Sequence, residues 1–413
     1  MKIIADFHIH SKYSRATSRN MDIPTLSQWA KLKGINLLGT GDFTFHLWLE
    51  ELKKYLTPLE DKGLFLYEGV YFILSTEVSN IFSQNNKVYR VHNVIMVPSF
   101  KMAEEVNKML SFYGNLASDG RPVLSMSCKR LAQELFNISE DIMLIPAHCW
   151  TPWFGIFGSN SGFDSLEEAF EEYTYRLTAL ETGLSSDPPM NWRVSKLDRF
   201  SLVSNSDSHS PSRIGREANV FDAQLNYWEI KKILETKDKS KFLYTVEFFP
   251  EEGKYHYDGH RNCGVRLSPQ ETKKLKGICP KCGRPLTKGV LHRVEELADR
   301  TPQEVPQDVI PFKNMVPLDE IIAQIKGINK ASKSIDREYK DIIYKFGSEF
   351  EVLFVASEED LISNLSPRLA QAILNVRKGK VKREPGFDGE YGKIIIDEGG
   401  EDSFKKEKQL SLF

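Results

Sequence analysis

Two histidines one residue apart, His8 and His10, lie at the end of the first apolar run of the chain, residues 2–7. This run predicts a buried strand. Alternate side chains of a strand share one face, so both imidazoles and the Asp6 carboxylate should point the same way. Two imidazoles and a carboxylate that project together from a strand end are typical of a divalent-metal site. The alternative is a pair of hydrogen-bonded surface histidines. If the metal interpretation is right, the rest of the chain must supply the remaining ligands.

More residues with metal-binding side chains follow short apolar runs further along the chain. Strands are predicted at 35–39, 71–76, 88–96, 143–146, 179–183 and 202–205. We expect these candidates to lie at or just after strand ends: His8, His10, Asp42, Glu77, His148, Asp207 and His209. A further candidate, His92, falls inside the strand predicted over 88–96. A random scatter of histidines would not favour strand ends, so the pattern indicates one distributed site.

Helical patterns separate these strands from residue 2 to about residue 246. This alternation is typical of parallel βα units, and the number of units favours an α/β barrel over an open sheet. The loops at the carboxyl rim of a parallel barrel are where active sites are built. The sequence therefore predicts a metal site at this rim.

The composition is that of an ordinary globular protein, with 413 residues of which 41% are hydrophobic and 27% charged. The length favours two or three domains. A net charge of −2 gives no overall attraction to nucleic acid, so any DNA contact must come from local basic patches. No apolar run of about 18 residues predicts a membrane span, and no signal-peptide pattern precedes the first strand. We therefore expect a cytoplasmic protein.

We predict four parts, because the composition changes near Phe248 and again near the prolines that follow residue 300. The parts are a metal-dependent barrel at 1–247, a small zinc-binding domain at 248–300, a mainly helical DNA-contacting domain at 301–396 and a flexible tail at 397–413. Within the third part, helices are predicted at 318–325, 335–346 and 367–378, and a strand at 351–355.

The second part contains paired metal ligands with short spacing. Cys279 and Cys282 are separated by two residues, as are His260 and Cys263, and this is the spacing of a closed tetrahedral zinc site. His256 is the alternative fourth ligand, and reduced free cysteines are the alternative to zinc. The same unit is rich in basic residues, which favours contact with a DNA backbone: Lys273, Lys274, Lys276, Lys281, Arg284 and Lys288. A second basic cluster lies at 377–383.

The rim candidates resemble the motifs of the polymerase-and-histidinol-phosphatase (PHP) superfamily. This resemblance implies a distorted seven-stranded β/α barrel that holds two or three divalent metals, Zn²⁺, Mn²⁺ or Mg²⁺, at one rim. His8 and His10 match the family's His-x-His motif, and Glu77 matches its bridging carboxylate. The middle histidines and the closing Asp-x-His are matched by His92, His148, Asp207 and His209.

The chain departs from this family pattern at one position. The family places a histidine ligand after the aspartate of its second motif, whereas Phe43 follows Asp42 here. Either one metal site is weakened, or Asp42 takes more of the coordination, or His46 replaces the missing ligand. Paired metals activate water and stabilise the leaving oxygen of a phosphate ester, so phosphoester hydrolysis is the expected reaction. Asp6 is expected to orient a metal-binding histidine and not to bind metal itself.

Longer segments are similar to the endonuclease Q family over essentially the whole chain. These segments are 146–155, 187–193, 213–219, 255–263 and 384–389. The resemblance implies an endonuclease that nicks DNA on the 5′ side of deaminated bases (deoxyuridine, deoxyinosine, deoxyxanthosine) and of abasic sites. Such an enzyme needs a pocket for an extruded nucleotide.

Several residues near the predicted rim are candidates for DNA or base contact. Trp153 and Phe154, with Trp150 beside them, are expected to stack on the lesion or to form ordinary core at the rim. Asn191 is a candidate for reading a base edge. Arg213 and Arg216 are candidates for holding phosphates, the alternative being a solvated charge pair with Glu217.

The last five residues resemble the bacterial sliding-clamp-binding peptide, through Gln409, Leu410, Leu412 and Phe413. The expected partners are therefore damaged DNA and a bacterial sliding clamp, with a monomeric, nucleoid-associated protein and no membrane contact. Two alternatives compete with the endonuclease. One is a histidinol-phosphatase-like phosphomonoesterase, which needs no zinc unit, basic patch or clamp peptide. The other is a catalytically inactive PHP barrel that binds DNA or the clamp.

Overall fold

The computed structural model describes residues 1–396. The clamp-binding peptide predicted at 409–413 lies outside the described residues. The strands are β1 (Lys2–Asp6), β2 (Leu37–Gly39), β3 (Thr57–Leu59), β4 (Leu64–Tyr67), β5 (Val70–Gln84), β6 (Lys87–Val97), β7 (Val123–Leu124), β8 (Met143–Pro146), β9 (Leu180–Glu181), β10 (Leu202–Val203), β11 (Ala218–Asp222), β12 (Phe242–Glu247), β13 (Asp258–His260), β14 (Val265–Leu267), β15 (Phe312–Asn314), β16 (Val381–Glu384) and β17 (Lys393–Ile396). The helices are α1 (Ile23–Lys33), α2 (His46–Tyr55), α3 (Phe100–Leu110), α4 (Cys128–Ile138), α5 (Leu166–Phe170), α6 (Pro188–Trp192), α7 (Tyr227–Thr236), α8 (Pro269–Lys274), α9 (Val290–Leu297), α10 (Leu318–Lys326), α11 (Lys333–Phe346), α12 (Glu358–Asn364) and α13 (Pro367–Arg377).

A distorted barrel forms the first part of the chain. Strand β1 is parallel to β2, and β2 is parallel to β5. Strand β6 is antiparallel to both β5 and β8, whereas β9 and β10 are parallel. A backbone bond from Thr178 N to Leu144 O links β8 to the start of β9, and one from His10 N to Ser208 O joins the segment after β10 to the segment after β1. The ring of β1, β2, β5, β6, β8, β9 and β10 confirms the predicted seven-stranded barrel.

The barrel is not built from parallel units alone, and this changes where two site residues lie. Strand β5 runs to Gln84 and folds back into β6 through Asn85 and Asn86, which have φ values of 51° and 61°. Such left-handed conformations suit the tight turn of a β-hairpin. Glu77 therefore lies inside β5, and the prediction that it follows a strand end is wrong. Its neighbour His92 lies inside β6, as predicted.

Helix α1 shows how the local sequence fixes an element beside the barrel. Asp22 caps its N-terminus by accepting a hydrogen bond from Thr25 N, and a proline follows in the first turn. Gly34 ends the helix with φ 85°, a conformation that a residue with a Cβ adopts at a cost. The apolar face of α1 is buried in the main core.

The remaining described residues form a small zinc-type unit and a mainly helical region. The β13–β14 hairpin and the loop at 279–282 make the small unit. Helices α10 to α13 follow, but β15 returns to pair in parallel with β12 of the barrel sheet. The predicted strand at 351–355 is wrong, because this segment is a π-helical turn. Its free carbonyls are satisfied by the Arg377 guanidinium, which donates to Val352 O, Leu353 O and Ala356 O.

Two sets of contacts hold the three regions together. Glu349 is buried and accepts from Lys33 Nζ at 2.5 Å, Tyr339 Oη at 2.7 Å and Leu318 N at 2.9 Å. The segment after β16 lies against the zinc-type unit, where Arg261 N donates to Asp388 Oδ2 at 2.6 Å. None of the helices described over 1–396 is both long and apolar enough to cross a membrane.

Candidate metal centre

The first candidate metal-binding group consists of His8, His10 and Asp207. The two histidines follow β1, and a bridge between Ile9 and Ser208 sets them beside the loop that carries Asp207. His10 Nε2 lies 3.1 Å from Asp207 Oδ1, and His8 Nε2 lies 3.8 Å from the same oxygen. The two histidines and the aspartate of the closing motif therefore lie together in space, as predicted.

The second group consists of Glu77, His92 and His148. Glu77 Oε1 lies 2.7 Å from His92 Nδ1 and 3.0 Å from His148 Nε2. Its other oxygen, Oε2, lies 3.3 Å from His10 Nε2 and 3.7 Å from His8 Nε2. Glu77 thus faces both groups, and its two oxygens would be available to cations held by either of them.

A glutamate that the sequence did not single out orients the first group. Both carboxylate oxygens of Glu181 lie 3.1 Å from His8 Nδ1, and Oε2 also accepts from His148 N at 2.7 Å. Glu181 takes the role that we predicted for Asp6. The Asp6 oxygens instead accept from Ser206 N and Gly215 N, so this carboxylate holds the loop of the closing motif. An acidic residue inside a buried strand was the available signal for Glu181.

Asp42 orients His10 in the same manner. Asp42 Oδ1 lies 3.1 Å from His10 Nδ1, and Oδ2 accepts from Ser11 N, Ser11 Oγ and Ser14 Oγ. Both oxygens of Asp42 are therefore engaged by the protein, and the neighbouring Phe43 is buried core. Among the described residues, neither His46 nor His209 belongs to either group.

The cluster fits divalent cations on three observations. His8 Nε2 is buried without a hydrogen-bond partner, and Nδ1 of the same ring is held by a carboxylate, which leaves Nε2 for a metal. Burial lowers the pKa of His92 to about 4, so its ring is neutral and able to coordinate. Burial raises the pKa of Glu77, but the charges of Arg121 and His8 and a hydrogen bond from His10 outweigh it and hold this pKa well below its usual range.

Three residues of this centre have a strained backbone conformation. Asp42, His148 and Asp207 have φ values of 51°, 29° and 46°. Each such conformation costs on the order of 1–3 kcal/mol in a residue with a Cβ and persists only where the surrounding structure enforces it. The orientation of these side chains therefore lowers the stability of the fold.

The small unit brings His260, Cys263, Cys279 and Cys282 together, with ligand atoms within 4.8 Å of one another. Cys282 Sγ lies 3.5 Å from His260 Nδ1. His256 is buried elsewhere, against the Tyr257 ring. Of the two histidines left open by the sequence, His260 is the one that the structure places with the cysteines.

A cleft of about 700 Å³ opens beside the metal centre and contains part of the predicted DNA-contacting set. Trp153 is 40% exposed, lines this cleft and stands edge-on to Tyr255. Phe154 instead packs on the His92 ring, with ring centres 4.4 Å apart. Trp153 is therefore the more exposed of these two aromatic residues.

Three other predicted contact residues have internal partners. Asn191 is buried, accepts from Trp150 Nε1 and donates to Ser186 Oγ and Asp187 O, so its amide has no group left for a base edge. Arg213 pairs with Asp319 and Glu320 of α10, and not with Glu217. Arg216 donates two hydrogen bonds to Ser206 O. Both arginines line the cleft, but their bonds hold the fold.

One sequence relative matches nearly the whole chain, and a family model matches its C-terminal part. The family model described as the MJ0043 C-terminal domain matches residues 317–380. The uncharacterized protein MJ0043 of Methanocaldococcus jannaschii is 35% identical over 269 residues, which is 63% of this chain, and the chain spans only 32% of that relative. The uncharacterized protein YqxK of Bacillus subtilis is 29% identical over 95% of this chain and 99% of its own length.

Solved structures give a full-length match. The lesion-specific endonuclease PfuEndoQ of Pyrococcus furiosus is 34% identical, with a TM-score of 0.87 over 98% of this chain and 99% of that protein. The chain belongs to the endonuclease Q family. A second endonuclease Q structure, a complex with a 27-mer duplex that carries an abasic lesion at the active site, is 34% identical with a TM-score of 0.84 over 96% of this chain and 97% of that one. As an endonuclease Q member the chain is classed as a hydrolytic enzyme.

Proposed function

We propose that this chain is a DNA-repair endonuclease that hydrolyses the phosphodiester on the 5′ side of deaminated bases and of abasic sites. The observation that carries the proposal is a pair of candidate metal-binding groups, one that contains Glu77 and one that Glu77 faces, within a chain that matches endonuclease Q end to end. The match to a complex with abasic duplex DNA supports the lesion as substrate. The phosphomonoesterase alternative gives no use to the zinc-type unit.

Each side chain of the centre has a definite task in this proposal. Divalent cations bound there supply hydroxide from water at neutral pH and stabilise the charge of a phosphate ester. His8 and His10 would hold the first cation through Nε2, because Glu181 and Asp42 engage their Nδ1 atoms. Glu77 contacts a histidine of each group and so fixes the position of one group relative to the other.

The cleft is proposed to receive the extruded nucleotide. A damaged base lies inside the DNA stack, and an enzyme that inspects it must unstack it at a cost of a few kcal/mol. Trp153 offers an exposed aromatic surface at the cleft wall, and stacking on such a ring offsets about 1–3 kcal/mol per base. Trp153→Ala is therefore expected to weaken binding of lesion DNA more than binding of undamaged DNA.

The deciding experiment incubates the protein and Mn²⁺ with duplexes that carry uracil, hypoxanthine, an abasic site or no lesion. We expect one nick 5′ of each lesion and none in the undamaged duplex. The double variant His8→Ala with Asp207→Ala should lose nicking and retain DNA binding. His46→Ala removes a histidine outside both groups and should nick as the wild type does. Cleavage without regard to the lesion, or hydrolysis of histidinol phosphate alone, contradicts the proposal.

We further propose one structural zinc at His260, Cys263, Cys279 and Cys282, and two cations at the barrel rim. Metal analysis of the purified protein and of Cys279→Ser separates the two kinds of site, because the variant should lose zinc from the small unit alone.

The sliding-clamp partner stays a prediction from the tail sequence. Deletion of residues 409–413 should abolish clamp binding and leave cleavage of naked DNA unchanged.

A further inference from the structure

An arginine that the sequence patterns did not single out, Arg121, forms an ion pair with Glu77. Arg121 Nη1 is 3.0 Å from Glu77 Oε2, the oxygen that also faces His8 and His10. The Glu77 side chain is fully buried, whereas that of Arg121 keeps 28% of its surface exposed. The guanidinium therefore reaches from the solvent side into the metal centre.

The backbone on both sides of Arg121 is held firmly. Gly120 precedes it and lies so close to the centre that a Cβ there would be 2.4 Å from Asp42 Oδ2 and 2.4 Å from Ser14 Oγ. Thr44 Oγ1 donates to Gly120 O at 3.1 Å, and on the other side Ser79 N of β5 donates to Pro122 O at 2.9 Å. Such support from fixed neighbours is what positions a side chain for chemistry.

A purely structural role explains this arrangement poorly. Glu77 already lies close to His92 and His148 through its other oxygen. A permanent positive charge on a carboxylate that binds cations opposes metal binding by like-charge repulsion. A guanidinium has five N–H donors, and among the described contacts of Arg121 the side chain uses one of its nitrogens, on Glu77. Donors therefore remain for an anionic ligand.

We infer that Arg121 is a catalytic residue that donates hydrogen bonds to a non-bridging oxygen of the scissile phosphate. This inference rests on the proposed function. In the step, a bond forms between phosphorus and the oxygen of water, and the bond to the leaving oxygen breaks. One water proton ends on the leaving oxygen and the other in solvent, while Arg121 keeps its protons throughout. Its charge stabilises the extra negative charge of the transition state.

The experiment compares Arg121→Gln and Arg121→Lys with the wild type. Loss of one donor aimed at a developing charge lowers the rate by about 100-fold or more, so we expect that fall in the single-turnover rate for Arg121→Gln on saturating lesion DNA. Arg121→Lys should recover part of the rate, since it restores the charge without the planar donors. Mn²⁺ affinity, measured separately, should stay the same or increase. Arg15→Gln is the control. Arg15 is an exposed arginine that pairs with Asp119, two residues before Arg121, and its variant should behave as the wild type does.

Two results overturn the inference: an Arg121→Gln protein that keeps the wild-type rate, or one whose Mn²⁺ affinity falls in proportion to its rate. The second would mean that Arg121 only maintains the metal centre. Bis(p-nitrophenyl) phosphate, a diester without a lesion, separates this inference from the proposed function. If the wild type hydrolyses this diester but not lesion DNA, the proposed function fails. The role of Arg121 is then tested by comparing the rates of Arg121→Gln and the wild type on the small diester. A wild type that hydrolyses neither overturns both.

Discussion

At the scale of single residues, the protonation of His8 links the metal centre to pH. Burial lowers the pKa of His8, but the charges of Glu181 and Glu77 outweigh it and raise this pKa well above the ordinary value of 6.5 in the metal-free protein. The bound proton stabilises the metal-free fold fully below pH 6.5, and this contribution is lost as the pH rises through the raised pKa. A metal ion must displace the same proton.

We therefore expect Mn²⁺ to raise the melting temperature more at about pH 8 than at about pH 6, because the proton competes less at the higher pH. Mn²⁺ suits this test since it prefers oxygen and nitrogen ligands, so the thiolates of the small unit take little part. Thermal melts with and without Mn²⁺ at both pH values make the measurement, and His8→Ala is the control in which the difference shrinks. An equal shift at both pH values contradicts the expected competition.

The residue scale also shows what the sequence could predict of the site. Local spacing placed His8 with His10, because a strand end fixes neighbours in the chain, whereas His209 lies outside both groups although it follows Asp207 closely. Glu181 and Arg121 gave no such signal, since their partners His8 and Glu77 are distant in the chain and are chosen by the closed barrel. Asn191 was a candidate for reading a base edge, but its amide bonds Trp150, Ser186 and Asp187 inside the fold.

At the scale of elements, the turn after β9 presses on the second metal-binding group. A Cβ on Gly183 would lie 2.5 Å from the Cβ of His148, and Gly183 has φ 62°. We expect Gly183→Ala to displace His148 and to lower Mn²⁺ binding and nicking. Gly69→Ala is a matched control, because Gly69 has φ 82° with nothing within 4 Å, so it bears the backbone strain without the collision. Isothermal titration with Mn²⁺ compares the two, and equal binding by both variants refutes the steric argument.

The same scale explains which elements were predicted well. Strand β8 follows from an apolar run and has its expected extent, and the helices predicted at 318–325 and 367–378 end within one residue of the observed bounds. The segment 351–355 has the apolar composition of a strand, but Arg377 satisfies its carbonyls and makes a helical turn possible. Local preference is a weak guide where a distant side chain supplies the hydrogen bonds.

At the scale of the whole molecule, Glu349 joins the barrel to the helical region. Its carboxylate is 1% exposed and pairs with Lys33 of α1, while burial and that pairing act against each other on its pKa, which ends below the usual value. Removal of one partner from a buried ion pair costs about 3–5 kcal/mol, because the other charge is left without compensation. We expect Glu349→Ala to lower the free energy of unfolding by this amount.

Chemical denaturation of Glu349→Ala, followed by tryptophan fluorescence, measures this loss. Asp336→Ala is the control, because Asp336 pairs with Lys340 on the exposed face of α11, where such pairs contribute about 0–1 kcal/mol. A Glu349→Ala protein as stable as the control would show that the two regions do not depend on this contact. This part of the fold was harder to predict, because the composition change near residue 300 does not reveal that β15 returns to the barrel sheet.

The pairing of β1 with β11 also sets an order for folding during synthesis. Lys2 pairs with Asp222, and Phe7 N bonds Asn205 Oδ1 across a separation of 198 residues. A nascent chain can complete the Glu77, His92 and His148 group once residue 148 has left the ribosome. The first group must wait for Asp207 and for the strands that enclose β1. Contacts at such separations form slowly, because a long loop must close before they are gained. The complete centre therefore appears only when the barrel closes, and an unfinished chain carries no paired metal site with which to cut DNA.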